Sequence, residues 1–155
     1  GYAVWGGPSD GLVAGEFHLP VKSMETGIPL RDEHMAGSNW LNAADHPNII
    51  FDLERSRNVS IERETDQFTT YTMTLVGSMT IKGETRRLEV PAKITMMPES
   101  DRTRSRFPGD LMAIRTNYSV ELSSYGVSHQ TVGQKVAETI ELENVLFCST
   151  VSPDN

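Results

Sequence analysis

The chain has one cysteine, Cys148, in 155 residues. It can form no intramolecular disulfide, and no Cys-x-x-Cys or Cys/His spacing suggests structural zinc. Cys148 reads as a small apolar side chain at the end of the last strand. Long hydrophobic runs are also missing. None approaches the ~18 apolar residues of a membrane-crossing helix, so no transmembrane segment is expected. Basic residues are scarce: 14 Lys and Arg against 21 Asp and Glu leave a net charge of −7. Nucleic-acid surfaces are normally basic, so no nucleic-acid partner is expected. The same balance disfavours non-specific docking on anionic lipid heads. There is no linker, repeat or low-complexity tract, and residues 1–155 read as one domain with a core of its own. The chain starts at Gly1 without Met and shows no signal peptide, which suggests a processed or trimmed product.

What the chain has is alternation. Around Lys82-Gly83, two long stretches switch polar and apolar residues every second position. Tyr71, Met73, Leu75, Met79 and Ile81 share one face before the turn, opposite Thr70, Thr72, Thr74, Ser78, Thr80 and Lys82. Leu88, Val90, Ala92, Ile94 and Met96 share a face after it, opposite Arg87, Glu89, Lys93 and Thr95. Period two means strands with one wet and one dry face. Further strands are expected at Leu12 to Val21, Asn48 to Ile61, Leu111 to Leu122 and Val136 to Cys148. Loops are expected at Glu99 to Gly109 and Tyr125 to Gln134. Ser38 to Ala44 looks like one or two helical turns with Ser38 as N-cap.

Short connections between such strands imply an all-β, antiparallel sheet. Strands this long twist, and closing a barrel or sandwich removes their edges. Only six or seven strands are clear, fewer than a barrel of eight. The dry face must then be filled by protein or by a ligand.

Four stretches, in order, resemble the YceI-like family of lipocalin-like polyisoprenoid-binding proteins. They are Ser23-Met24-Glu25-Thr26-Gly27 with Arg31-Asp32-Glu33-His34-Met35; Trp40 to Phe51 with its Pro47-Asn48-Ile49-Ile50-Phe51 end; Gly77 to Val90; and Tyr125-Gly126-Val127 with Val132 to Val136 and Ile140-Glu141-Leu142. The resemblance implies a lipocalin-like barrel, complete or left open on the N-terminal side. Family members usually carry two long strands before the segment equivalent to Leu12–Val21, where this chain has only Gly1 to Gly11. Open edges invite strand pairing, so a homodimer is one expectation.

The resemblance further implies a non-enzymatic carrier or store for an amphiphilic isoprenoid, a polyprenyl phosphate or a ubiquinone-like lipid, with no obligatory cofactor and a periplasmic location. The tunnel would be lined by Phe17, Phe51, Tyr71, Met73, Leu75, Met79, Ile81, Leu88, Val90, Ile94, Met96, Met112, Ile114, Tyr118 and Val120. Unbranched methionines suit a flexible guest, and each buried methylene is worth about 0.8 kcal/mol. The alternative is that these side chains simply fill the interior. Arg102, Arg104 and Arg106 are either a solvated turn or a phosphate-head contact at one mouth. Arg31, Asp32 and His34 read as a structural cluster, because no nucleophile accompanies them. An acid/base or metal-dependent enzyme using that region, and a strand-pairing interaction module, are the alternatives. No metal site is expected, since His34, Asp45, His46 and His129 lack H-x-H or HExxH spacing.

Overall fold

A computed structural model describes residues 1–127 and 139–151. The strands are β1 (Tyr2–Trp5), β2 (Leu12–Pro20), β3 (Asn48–Glu64), β4 (Thr69–Ile81), β5 (Glu84–Met97), β6 (Leu111–Glu121) and β7 (Thr139–Ser149). They form one sheet in the order β1-β2-β3-β4-β5-β6-β7, each pair antiparallel. The sheet curls over its apolar face without a β7–β1 ladder among the described residues, which makes it a half-barrel. Two short helices, α1 (Pro29–Met35) and α2 (Asp101–Arg104), lie in the connections.

The β4–β5 hairpin is paired without a slip from Thr69↔Met96 to Ile81↔Glu84. Lys82 and Gly83 turn it with φ of +52° and +77°. Two successive residues at positive φ match the right-handed twist of the strands they join. The unbroken register keeps Tyr71, Met73, Leu75, Met79 and Ile81 of β4 and Leu88, Val90, Ala92, Ile94 and Met96 of β5 on one face, with Val76, Pro91 and Met97 on the other. Ile94 is 0% exposed, Met79 1% and Ile114 1%.

The β5–β6 ladder is shorter than either strand. It spans only Ala92↔Thr116 to Met97↔Leu111. Pro91, next in line, has no N–H to donate, and a ladder stops readily at such a residue. Beyond it β5 and β6 part company. A 3-10 turn, Leu122–Tyr125, folds back against β5, and Tyr125 and Val127 become buried. This seam shapes one end of the half-barrel.

Two local expectations are corrected. Ser38 to Ala44 forms turns, not a helix, with Asn42 at φ +48°. The helix lies earlier, at Pro29–Met35, where Pro29 opens it; proline suits a first turn because its missing N–H has no partner there anyway. The polar loop after β5 contains α2, started by a capping box between Ser100 and Thr103. The Gly- and Pro-rich start carries β1, whose Trp5 packs on Tyr71 at 4.9 Å between ring centroids. The last strand is Thr139–Ser149; residues 136–138 of the expected strand, and most of the expected loop from Tyr125 to Gln134, lie outside the described residues.

Candidate functional site

The inward faces of β2 to β6 bring Phe17, Phe51, Tyr71, Met73, Leu75, Met79, Ile81, Val90, Ile94, Met112, Ile114, Tyr118 and Val120 into one buried cluster. Leu88 and Met96 pack half-buried against it. All fifteen expected lining residues therefore point inward. They also fill the space. The void among Phe17, Phe51, Leu75, Met79, Val90 and Ile114 is about 30 Å³, room for one or two waters. At its edge Asn144 Nδ2 donates to the Tyr118 hydroxyl at 3.2 Å, and burial pushes the Tyr118 phenol up. Burial also raises the Cys148 thiol, which disfavours a reactive thiolate.

A larger space opens at the end where β5 and β6 separate. It is a cavity of about 540 Å³ beneath α1, within the usual range for small-molecule sites. Its depth is formed by strand ends and the seam: Ile49, Ile81, Val120, Tyr125 and Val127. Leu41 and Trp40 close one side, Ile140 and Leu142 of β7 the other. Burial raises the Tyr125 phenol, countered in part by Arg86. Over this apolar depth α1 and its lead-in present Ile28, Leu30, Arg31, His34 and Met35. None of α1's residues is buried, and Ile28 and Leu30 are 46% and 61% exposed.

The Arg31, Asp32, His34 motif divides between two roles. Asp32 Oδ1 accepts from the Thr26 N–H at 2.8 Å and from its hydroxyl at 2.6 Å, pinning the chain that leads into α1. Arg31 and His34 are three apart, so they share a helix face, and both line the cavity. The expected structural role thus belongs to Asp32. The sequence did not separate the other two, although the i, i+3 spacing on a helix opened by Pro29 was the available signal.

Arg102, Arg104 and Arg106 sit at the opposite end, on and after α2. Arg104 bonds Glu99 and Asp101, while Arg102 and Arg106 are exposed. A third space, about 410 Å³, opens on the side between the end of β2 and β7, and Glu25, Glu141 and Glu143 line it. Among the described residues no three His, Cys, Asp or Glu side chains gather around a possible metal position; His129 lies outside them. No helix of the described residues is long and apolar enough to cross a membrane.

A curled antiparallel sheet with an apolar interior and a mouth at one end is the architecture of lipocalin-like binding proteins. The YceI-like domain matches residues 6–146, and the chain belongs to that family, generally one of binding proteins. Solved structures give the same fold. The YceI protein of Campylobacter jejuni is 16% identical over 97% of this chain and 81% of its own, with a TM-score of 0.67. BcnA of Burkholderia cenocepacia is 16% identical over 88% of this chain and 74% of its own, with a TM-score of 0.59. No curated protein matches the chain significantly.

Proposed function

We propose that the protein is a non-enzymatic carrier or store for an amphiphilic isoprenoid, held by its apolar tail, in the bacterial periplasm. The 540 Å³ cavity under α1 is the observation that carries this reading. Its wall is built from aliphatic and aromatic side chains, and burying each methylene of a guest contributes about 0.8 kcal/mol. A tail too long for the cavity extends inward past Ile81 toward Met79, where unbranched side chains can change rotamer around it. The binding reading fits the geometry better than an enzyme. Arg31 and His34 have no serine or cysteine nucleophile among the cavity residues, and Asp32 is engaged with Thr26.

The two tryptophans report separately on this model. Trp40 lines the cavity, and Trp5 lies against Tyr71 in β1. Titrating farnesol into the Trp5→Phe variant should change Trp40 emission saturably. The Trp40→Phe variant should stay nearly silent. No saturable change, together with native mass spectrometry that finds no co-purifying lipid, would sink the proposal.

A further inference from the structure

We propose that the free edge of β7 is a strand-addition site for an extended segment of a partner protein, with basic side chains facing outward beside Glu141 and Glu143. The proposal does not depend on the carrier reading. It concerns the side of the half-barrel rather than the cavity under α1.

Three observations carry it. First, this edge is undefended. β7 runs for 11 residues, and its ladder with β6 holds register from Leu111↔Ser149 to Glu121↔Thr139. Its other edge has no partner among the described residues. The strand contains no proline, glycine or lysine. Val145 and Phe147 point outward from it, 46% and 62% exposed. Edge strands are normally short, bulged or guarded by lysine, because their unpaired N–H and C=O groups recruit other strands. The opposite edge of the sheet follows that rule: β1 spans 4 residues and slips register between Val4 and Trp5. The arm of β3 that runs beyond β2 slips register as well.

Second, there is room beside β7. The 410 Å³ side opening lies between residues 141–144 of β7 and Leu19 and Met24 at the end of β2. Buried Ile49 and Tyr118 stand behind it. An added strand lies about 4.8 Å from the edge it joins, and its main chain would take up the unpaired groups of β7. Third, the opening states the chemistry of its occupant. Side chains on an added strand alternate in step with those of β7. Those beside Leu142 face the apolar interior, and those beside Glu141 and Glu143 face outward. The charged side chains lining the opening are Glu25, Glu141 and Glu143. Opposite charges directly across a strand pair stabilise it, and like charges destabilise it. The occupant is therefore an extended segment that reads basic, apolar, basic. A second copy of this chain does not supply it, because the edge strands β1 and β7 contain neither lysine nor arginine. Main-chain pairing gives such a site its affinity, and the side-chain match gives its selectivity.

The experiment titrates two capped synthetic peptides, Thr-Lys-Val-Lys-Val-Thr and Thr-Glu-Val-Glu-Val-Thr, into the whole chain. Calorimetry reads affinity, and NMR amide exchange reads where the peptide pairs. The lysine peptide should bind about tenfold tighter than the glutamate peptide. It should slow exchange at alternate β7 amides, those not bonded to β6. The double variant Glu141→Lys, Glu143→Lys should reverse the order of the two peptides. Both positions are exposed, so the variant should fold, and an unchanged circular dichroism spectrum verifies that. Absence of binding, equal affinities, or an order that survives the double variant would overturn the proposal. So would binding that leaves β7 exchange unchanged, because that is surface charge attraction without strand pairing. A concentration-dependent dimer that protects β7 with no peptide present would also overturn it, by giving the edge to a second copy.

Discussion

At the α2 end of the half-barrel, Glu99 takes the Gly109 N–H and the Arg104 guanidinium, and Asp110 Oδ1 takes the Glu99 N–H at 2.8 Å. Thr150 Oγ1 accepts from the Asp110 N–H at 3.0 Å, and the Ser149 hydroxyl donates to the Pro108 carbonyl. Ser100 and Thr103 cap α2 reciprocally. At the α1 end the helix has Ile28 as its N-cap with no side-chain cap bond, buries nothing, and is tethered through Asp32 to Thr26. One end is knitted by polar bonds within the β5–β6 connection and from it to the end of β7. The other is covered by a helix that keeps apolar side chains in water. α2 also buries no residue, and Phe107 after it is 51% exposed, so what sets the α1 end apart is the 540 Å³ cavity beneath its exposed Ile28 and Leu30; on the carrier reading this end is the entrance.

Two glycines measure the difference directly. Gly109 and Gly27 both have positive φ, +88° and +86°. A Cβ on Gly109 would lie 2.6 Å from Thr150 Oγ1 and 2.8 Å from Val151 Cγ2, whereas one on Gly27 would meet nothing within 4 Å. Gly27→Ala should therefore cost about 1–2 kcal/mol, the handedness penalty alone. Gly109→Ala should cost that plus about 1–3 kcal/mol for crowding. Urea unfolding of the two variants tests the contrast, and equal losses would erase it.

Acid should loosen the closed end selectively. The Gly109 N–H, and then Arg104, hold the Glu99 carboxyl below its ordinary value. A depressed folded-state pKa means these bonds stabilise the fold fully above the ordinary carboxylate range and are lost as pH falls through the depressed value. Protection of the Gly109 amide against exchange, corrected for intrinsic rate, should fall on acidification below about pH 4. Glu99→Gln should lower that protection at neutral pH and flatten its pH dependence. A Gly109 amide equally protected at pH 3 and pH 7 would show that the closure does not depend on this carboxylate.

The strands were legible because alternation survives wherever register does. The inward set on β4 and β5, from Tyr71 through Met79 to Ile94, reads directly from the sequence because their ladder has no bulge. Helix position was harder. Ser38 looks like a cap, but Asn42 takes φ +48° and the local bonds are turn bonds, such as Asn42 N–H to the Gly37 carbonyl. Pro29 carried the true signal. The cavity was not legible at all, because no single segment makes it. It arises where Pro91 ends a ladder, the Tyr125 turn fills behind, and α1 stops short of packing. Periodicity also told which residues face inward without telling whether they leave room for a guest; close packing around Met79 is a tertiary outcome.

The smallest change should be the most discriminating. Leu30 is 61% exposed on α1, yet it lines the cavity. Leucine and glutamine have similar helix propensities, so Leu30→Gln should shift stability by no more than about 0.5 kcal/mol. Exposed apolar side chains are common on protein surfaces, and one reason for this one would be its place over the cavity. If that reason is to cover a bound tail, the same substitution should weaken farnesol binding by several-fold, because each buried methylene contributes about 0.8 kcal/mol and leucine touches the guest with only part of its side chain. Thermal unfolding and a farnesol titration on one preparation read both quantities. Unchanged affinity would mean that α1 borders the cavity without closing over its contents, and the asymmetry between the two ends would then be one of stability alone.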